Sequence, residues 1–108
     1  MTLWSAWYGT AIAGMGTLKL LADGAAEIKS MRTHPDYLRR GVGGMLLDHI
    51  MSEARRCGLR RLSLETGRGP GFEPALALYR KRGFVDGAAF ADYGYNDFSQ
   101  FLHLDLTI

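Results

Sequence analysis

The stretch of sequence that decides the fold is Arg39-Arg40-Gly41-Val42-Gly43-Gly44. Glycines let a backbone come close to a ligand. The first amides of a helix have no partners inside the helix and lie at the positive end of its dipole, so they suit a phosphate. The two arginines can add charge-assisted contacts. The glycines alone indicate no more than a turn, but with the arginines before them and a helix after them they favour a phosphate-binding loop.

The loop lacks the marks of two common phosphate-binding motifs. A Walker loop requires Gly-x4-Gly-Lys-Ser/Thr, which the sequence does not contain. A dinucleotide-binding fingerprint requires a third glycine where Leu46 stands, and an apolar strand leading straight into the glycines, whereas residues 34–40 intervene here. Glu65 only superficially mimics the ribose-binding acid of that fingerprint. A nucleotide-binding domain of another kind is therefore the weaker alternative.

Outward from the loop, the hydrophobic pattern predicts alternating strands and helices. Apolar residues at helical spacing predict a helix from Val42 to Cys57, closed by Gly58. Strands are expected at residues 3–8, 11–21, 26–33 and 61–66, a second helix at residues 75–82, and two closing antiparallel strands after Phe84. A strand-helix-strand unit within an otherwise antiparallel set predicts an α+β fold, a mixed and mostly antiparallel sheet with two main helices.

Composition narrows the class of protein. The chain has 108 residues, 47% apolar and 22% charged, so one globular domain covering residues 1–108 is expected. A formal charge of +2 gives no sign of nucleic-acid binding, and no run of about 18 apolar residues indicates a membrane span. Cys57 is the single cysteine, which fits a reducing cytoplasm. The histidines are dispersed, so no metal site is predicted.

Three segments together resemble the GNAT superfamily of acyl-CoA N-acyltransferases. The first runs from Ala26 to Leu47 and contains the glycine loop; Gly41 and Gly43 match the motif Gln/Arg-x-x-Gly-x-Gly/Ala, although its first position is Leu38. The second is Leu62-Ser-Leu-Glu-Thr-Gly67 followed by Ala75-Leu-Ala-Leu-Tyr-Arg-Lys-Arg-Gly-Phe84. The tail, Phe90-Ala-Asp-Tyr93 and then residues 98–106, is similar to the closing hairpin of small bacterial members.

The resemblance implies a pair of splayed strands with acetyl-CoA in the gap between them. The pantetheine would follow the strand end at Met31, Arg32 and Thr33. The pyrophosphate would lie on the loop, and the expected cofactor-binding residues there are Arg39, Arg40, Gly41, Val42, Gly43 and Gly44, together with Arg82. No metal is implied.

The resemblance also implies direct transfer to an amine. A backbone amide near Met31 would hold the tetrahedral oxyanion. Tyr79 matches the usual position of the acid that protonates the CoA thiolate, although its spacing alone favours a core residue. Glu27 aligns with the strand carboxylate that serves as base in some members; a solvated or ion-paired glutamate is an equally good reading, because many members use a chain of waters instead.

The chain departs from the family at its start. It begins at about the family's second strand, so a strand and two helices that cover one sheet face are expected to be missing. An uncovered apolar face favours a homo-oligomer, most simply a dimer. Two functions stay open: an N-acetyltransferase acting on a small-molecule or amino-acid-like amine, or a catalytically weak acyl-CoA-binding subunit or sensor.

Overall fold

The computed structural model describes residues 1–107, which form one sheet with two helices packed on it. The strands are β1 Thr2–Tyr8, β2 Ala11–Leu20, β3 Ala25–Thr33, β4 Arg61–Thr66, β5 Val85–Asp86 and β6 Gln100–Asp105. The helices are α1 Val42–Arg56 and α2 Glu73–Lys81. Short 3-10 turns lie at residues 22–24, 35–37 and 70–72. No helix within residues 1–107 is both long and apolar enough to cross a bilayer.

The sheet is mixed, as its sequence pattern predicts. Its strand order is β1-β2-β3-β4-β6-β5, and only β3 and β4 run parallel among the paired strands of the described residues. Helix α1 makes the crossover between these two parallel strands, because a parallel pair cannot be joined by a tight hairpin. The predicted α+β fold, with a mostly antiparallel sheet and two main helices, is confirmed.

A bulge interrupts β3 halfway along its length. Met15 pairs with Arg32 and Thr17 pairs with Lys29, so Gly16 alone faces two residues, Ser30 and Met31. Ser30 accordingly adopts a left-handed backbone with φ 56°. Gly16 leaves room for two side chains there: a Cβ atom would overlap the Met31 sulfur and lie 3.0 Å from Cδ1 of Ile50, so both side chains would have to shift.

The two parallel strands separate at this bulge. The ladder between β3 and β4 covers Ala25 to Ile28 on one strand and Arg61 to Leu64 on the other, and it ends there. Both strands continue, to Thr33 and Thr66 respectively. The result is a wedge-shaped gap that opens toward the start of α1.

The hydrophobic core lies between the helices and one face of the sheet. Side chains that alternate along the strands reach this face, and they pack against the apolar stripes of both helices. The largest fully buried members are Phe84, Leu47, Ile50, Leu62, Leu64, Leu76 and Leu102. Glu27 and Ser63, one residue out of phase with this pattern, therefore point to the opposite face.

The two closing antiparallel strands expected after Phe84 are present, because β5 pairs antiparallel with β6, but no short turn joins them and residues 90–93 are not part of a strand. Strand β5 has only two residues, and residues 87–99 form an irregular segment before β6 begins. Phe90 is 8% exposed although it lies in this segment, because it packs edge to face on Phe101 at a centroid distance of 5.8 Å. The apolar Phe90 therefore anchors this segment, as a loop, on the sheet. Other boundaries shift by one or two residues; α2, for example, runs from Glu73 to Lys81.

Candidate active site

The glycine loop presents unpaired amides at the start of α1. Gly41 occupies the N-cap position with φ 79°, and no side chain caps the helix. The amides of Val42, Gly43 and Gly44 therefore lie in the first turn without helical partners. Arg39 also has a left-handed backbone, with φ 63°, which costs a non-glycine residue about 1 kcal/mol. Left-handed residues next to a helix start form the kind of concave amide surface that binds anions.

The neighbours of the loop fix its position on the sheet. Val42 is 3% exposed, and its side chain packs into a small second core with Ala6, Ala13 and Leu46. Of the predicted binding residues, Val42 can therefore offer only its backbone. A Cβ built on Gly43 would lie 3.8 Å from Oγ1 of Thr33, so the loop sits directly beside the end of β3.

Arg40 is held over two aromatic rings. Its guanidinium carbon lies 5.4 Å from the ring centroid of Tyr37 and 5.9 Å from that of Tyr8. The two tyrosine rings stack at 5.0 Å with an angle of 11° between their planes. This aromatic support keeps an exposed cation at the loop. Sequence reasoning missed it, because no local pattern links β1 to the turn at Tyr37.

Arg82 lies beside the loop but is already paired. Its Nε donates to Oδ1 of Asp48 at 2.8 Å, and its Nη2 donates to Oδ2 at 3.2 Å. The guanidinium lowers the pKa of the Asp48 carboxyl by this hydrogen bond. A Cβ on Gly44 would come within 2.8 Å of the same Nη2. Arg82 thus joins the end of α2 to the first turns of α1, with its charge partly neutralised.

The gap between β3 and β4 is a cleft of about 300 Å³. Both predicted catalytic residues, Glu27 and Tyr79, line it. Met31 and Arg32, predicted to follow the pantetheine, line it as well. Because the β3–β4 ladder has ended at this point, the cleft passes between the strands and can be reached from both faces of the sheet.

Tyr79 lines the helix side of the cleft. It is 7% exposed, and its ring packs edge to face on Phe84 at 5.7 Å. Its hydroxyl has no hydrogen-bond partner within residues 1–107. Because no buried polar side-chain atom there lacks a partner, the hydroxyl oxygen must be accessible. Burial raises the pKa of Tyr79 to about 12, so the phenol keeps its proton at neutral pH.

Glu27 lines the opposite side of the cleft. It is 2% exposed, and Tyr93 from the irregular segment donates a hydrogen bond to its Oε2 at 2.5 Å. This bond raises the pKa of Tyr93 to about 12. Tyr93 also lines the cleft. Sequence reasoning missed its role, because 66 residues separate the two partners.

Three further hydrogen bonds attach the irregular segment and β6 to this face. Ser63 Oγ lies 2.7 Å from Nδ1 of His103, whose Nε2 lies 2.8 Å from the carbonyl oxygen of Ala88. A carbonyl oxygen only accepts, so Nε2 carries the proton and Ser63 donates to Nδ1. Ser99 Oγ donates to Oε2 of Glu65 at 2.6 Å. Together they hold the irregular segment on this face of the sheet, where its Tyr93 lines the cleft.

Comparison with known proteins fits this geometry. A family model described as the acetyltransferase (GNAT) family matches residues 1–84. The chain belongs to the GNAT family of acetyltransferases. It is 52% identical over 106 residues to the uncharacterised N-acetyltransferase YedL of Escherichia coli, covering 98% of this chain and 67% of that protein. It is 50% identical over 102 residues to the uncharacterised N-acetyltransferase YsnE of Bacillus subtilis, covering 94% and 68%.

A solved GNAT-type structure agrees as well. A structure described as an acyl-CoA N-acyltransferase from Klebsiella pneumoniae superposes with a TM-score of 0.81 at 30% identity, covering 88% of this chain and 64% of that one. The chain therefore spans about two thirds of the length of these relatives. The expected membership of the GNAT N-acetyltransferases is confirmed, and GNAT enzymes use acetyl-CoA.

Proposed function

We propose that the chain transfers an acetyl group from acetyl-CoA to the primary amine of a small-molecule or amino-acid-like acceptor, by direct attack. The observation that carries the proposal is the single cleft lined by both Glu27 and Tyr79, beside a loop with free amides. An amino-acid acetyltransferase of Serratia proteamaculans, 36% identical over 59 residues of this chain, supports an acceptor of this kind.

The residues present fit acetyl-CoA. The free amides of Val42, Gly43 and Gly44 suit its pyrophosphate, with Arg39 and Arg40 as nearby cations. Beyond Ile28, the edge of β3 no longer pairs with β4, so its backbone from Met31 to Thr33 is available to the pantetheine amides. Arg82, bound to Asp48, would act mainly by holding α2 beside the loop.

The chemistry then follows from the two walls of the cleft. The acceptor nitrogen attacks the thioester carbonyl, and its proton passes to the Glu27 carboxylate directly or through water. The Met31 amide, at the bulge, would stabilise the oxyanion that forms. When the carbon–sulfur bond breaks, the Tyr79 hydroxyl faces the departing thiolate. Tyr93 would hold the Glu27 carboxylate in place by its hydrogen bond.

Two measurements on the whole chain test the proposal. Calorimetry should show acetyl-CoA binding, and a panel of primary amines should include acceptors that release free CoA together with acetylated product. If acetyl-CoA binds but no amine is acetylated, the chain is the weak acyl-CoA-binding subunit or sensor, and the proposed activity is wrong. If the folded chain does not bind acetyl-CoA, both functions are wrong.

A further inference from the structure

Three ionisable side chains share one face of β3 at the cleft. Glu27 and Lys29 are two residues apart, so they point to the same side of the sheet, with their Cα atoms about 7 Å apart. The bulge at Ser30 adds one residue, which returns Arg32 to that side; it pairs across the sheet with Met15. All three line the cleft, on the face opposite the helices.

The row formed by Glu27, Lys29 and Arg32 on β3 has no ionic partners within residues 1–107. Neither Lys29 nor Arg32 forms an ion pair there, although arginines elsewhere, such as Arg82 and Arg56, do. Glu27 is 2% exposed, yet the side-chain hydrogen bond that it accepts comes from the neutral Tyr93 hydroxyl. A buried carboxylate beside two cations without ion pairs gives the acceptor side of the cleft a negative end and a positive end. The Glu65 carboxylate also lines the cleft, and it accepts a hydrogen bond from Ser99.

We propose that the acceptor is an amine that also carries a carboxylate, such as an amino acid with a free α-carboxylate. Its carboxylate binds Arg32 and Lys29, and its amino group faces Glu27. This inference rests on the proposed acetyl transfer and adds the class of acceptor to it. A guanidinium matches a carboxylate with two parallel hydrogen bonds, and a lysine supplies a second point charge. An amine that has no carboxylate would leave both Arg32 and Lys29 without a partner.

The side chain of Arg32 is thereby separated from the cofactor. Thr33, the next residue, faces the helix side and lies beside Gly43 of the phosphate loop. Since neighbouring residues of a strand point to opposite faces, Arg32 points away from that loop. The backbone of β3 would bind the pantetheine, and the β3 side chains on the face opposite the helices would bind the acceptor.

The test compares matched acceptors that differ only in the anionic group. L-amino acids and their C-terminal amides are measured as pairs, by kcat/KM for acetylation and by the Kd for binding to the CoA complex. For the amino acid that serves best, we expect the acid to be favoured over its amide by about ten- to hundredfold, as for a charge-assisted hydrogen bond. Arg32→Gln and Lys29→Gln should each lower that ratio, and the double variant should bring it close to one.

Lys19→Gln is the matched control. Lys19 lies directly across from Glu27 on β2, on the same face, but does not line the cleft. It should leave the ratio unchanged, and Arg32→Gln should leave acetyl-CoA affinity unchanged. Equal binding of acids and amides, or an Arg32→Gln variant that loses acetyl-CoA affinity as much as acid affinity, overturns the inference. Efficient acetylation of amides would still support the proposed acetyl transfer, so the two failures are distinguishable.

Discussion

Gly43→Asp should raise the stability of the fold while strongly weakening cofactor binding. A Cβ at Gly43 would lie 3.4 Å from Cδ2 of Leu78 and 3.8 Å from Oγ1 of Thr33, which are ordinary contacts. Gly43 is the second helical residue of α1, where an acidic side chain is stabilised by the helix dipole and glycine is a poor helix former. Together these effects should add about 1 kcal/mol, or roughly 4 °C in Tm.

The same carboxylate would face the phosphates of acetyl-CoA. Two unit charges about 5 Å apart, at an effective dielectric constant of about 20, repel by about 3 kcal/mol. That corresponds to a Kd for acetyl-CoA raised by roughly a hundredfold. The repulsion should weaken as salt is added, because the loop is close to solvent.

Gly43→Asn separates charge from bulk. It has nearly the shape of the aspartate variant and no charge, so calorimetry with acetyl-CoA should show only a modest loss. Thermal unfolding of the three proteins gives the stability arm of the experiment. Equal Kd values for the aspartate and asparagine variants would show that the phosphates do not lie at this loop. A large loss of Tm in both would show that the start of α1 does not tolerate a side chain at this position.

Other predictions address catalysis, stability and assembly. Tyr79→Phe should lower kcat by roughly 10²–10³, as the loss of one hydrogen-bond donor to a developing anion does, with little change in acetyl-CoA affinity, whereas a purely structural tyrosine would leave turnover intact. Ionisation of Tyr79 should remove about 3 kcal/mol of stability as pH rises from 10 through 12, its raised pKa, in addition to the loss from Tyr93, and Tyr79→Phe should remove the Tyr79 part in alkaline denaturation. Gly16→Ala should cost about 1–3 kcal/mol in urea unfolding, because its methyl group meets Met31 and Ile50 at the bulge. Light scattering should give a dimer or larger at micromolar concentration, since Leu3, Trp7 and Ile12 are about half exposed; a monomer mass would contradict this.

The sequence predicts the elements near the glycine loop well, because their signals are local. Alternation marks β4, helical spacing marks α1, and the glycines mark where α1 begins. It fails for residues 87–99, the irregular segment between β5 and β6. The segment from Gly87 to Ser99 has apolar residues but few that favour strands, and it is ordered by contacts with strands far away in the chain.

Some residues of the candidate site can also be predicted from the sequence, and others cannot. The loop follows from its motif, and the role of Tyr79 follows only from the resemblance to the GNAT family. Tyr93 on Glu27 and the stacking of Tyr8 on Tyr37 depend on side chains brought together by the fold, so no window of sequence contains both partners. The row of Glu27, Lys29 and Arg32 on β3 depends on a feature of the backbone that the sequence does not reveal. A reader of the sequence places Arg32 one residue out of phase with Glu27, and only the bulge at Ser30 restores it to the same face.

The raised pKa of Tyr79 bears on what an acid at this position can do. An ordinary thiol has a pKa near 8.5, so full proton transfer from a phenol with a pKa of about 12 is uphill by about 5 kcal/mol. A hydrogen bond carries no such cost, and burial strengthens it. Tyr79 is therefore better suited to stabilise the developing thiolate by donating a hydrogen bond than to give up its proton. The thiolate can then take a proton from water after release, and turnover should show no alkaline limb from this tyrosine between pH 6 and pH 9.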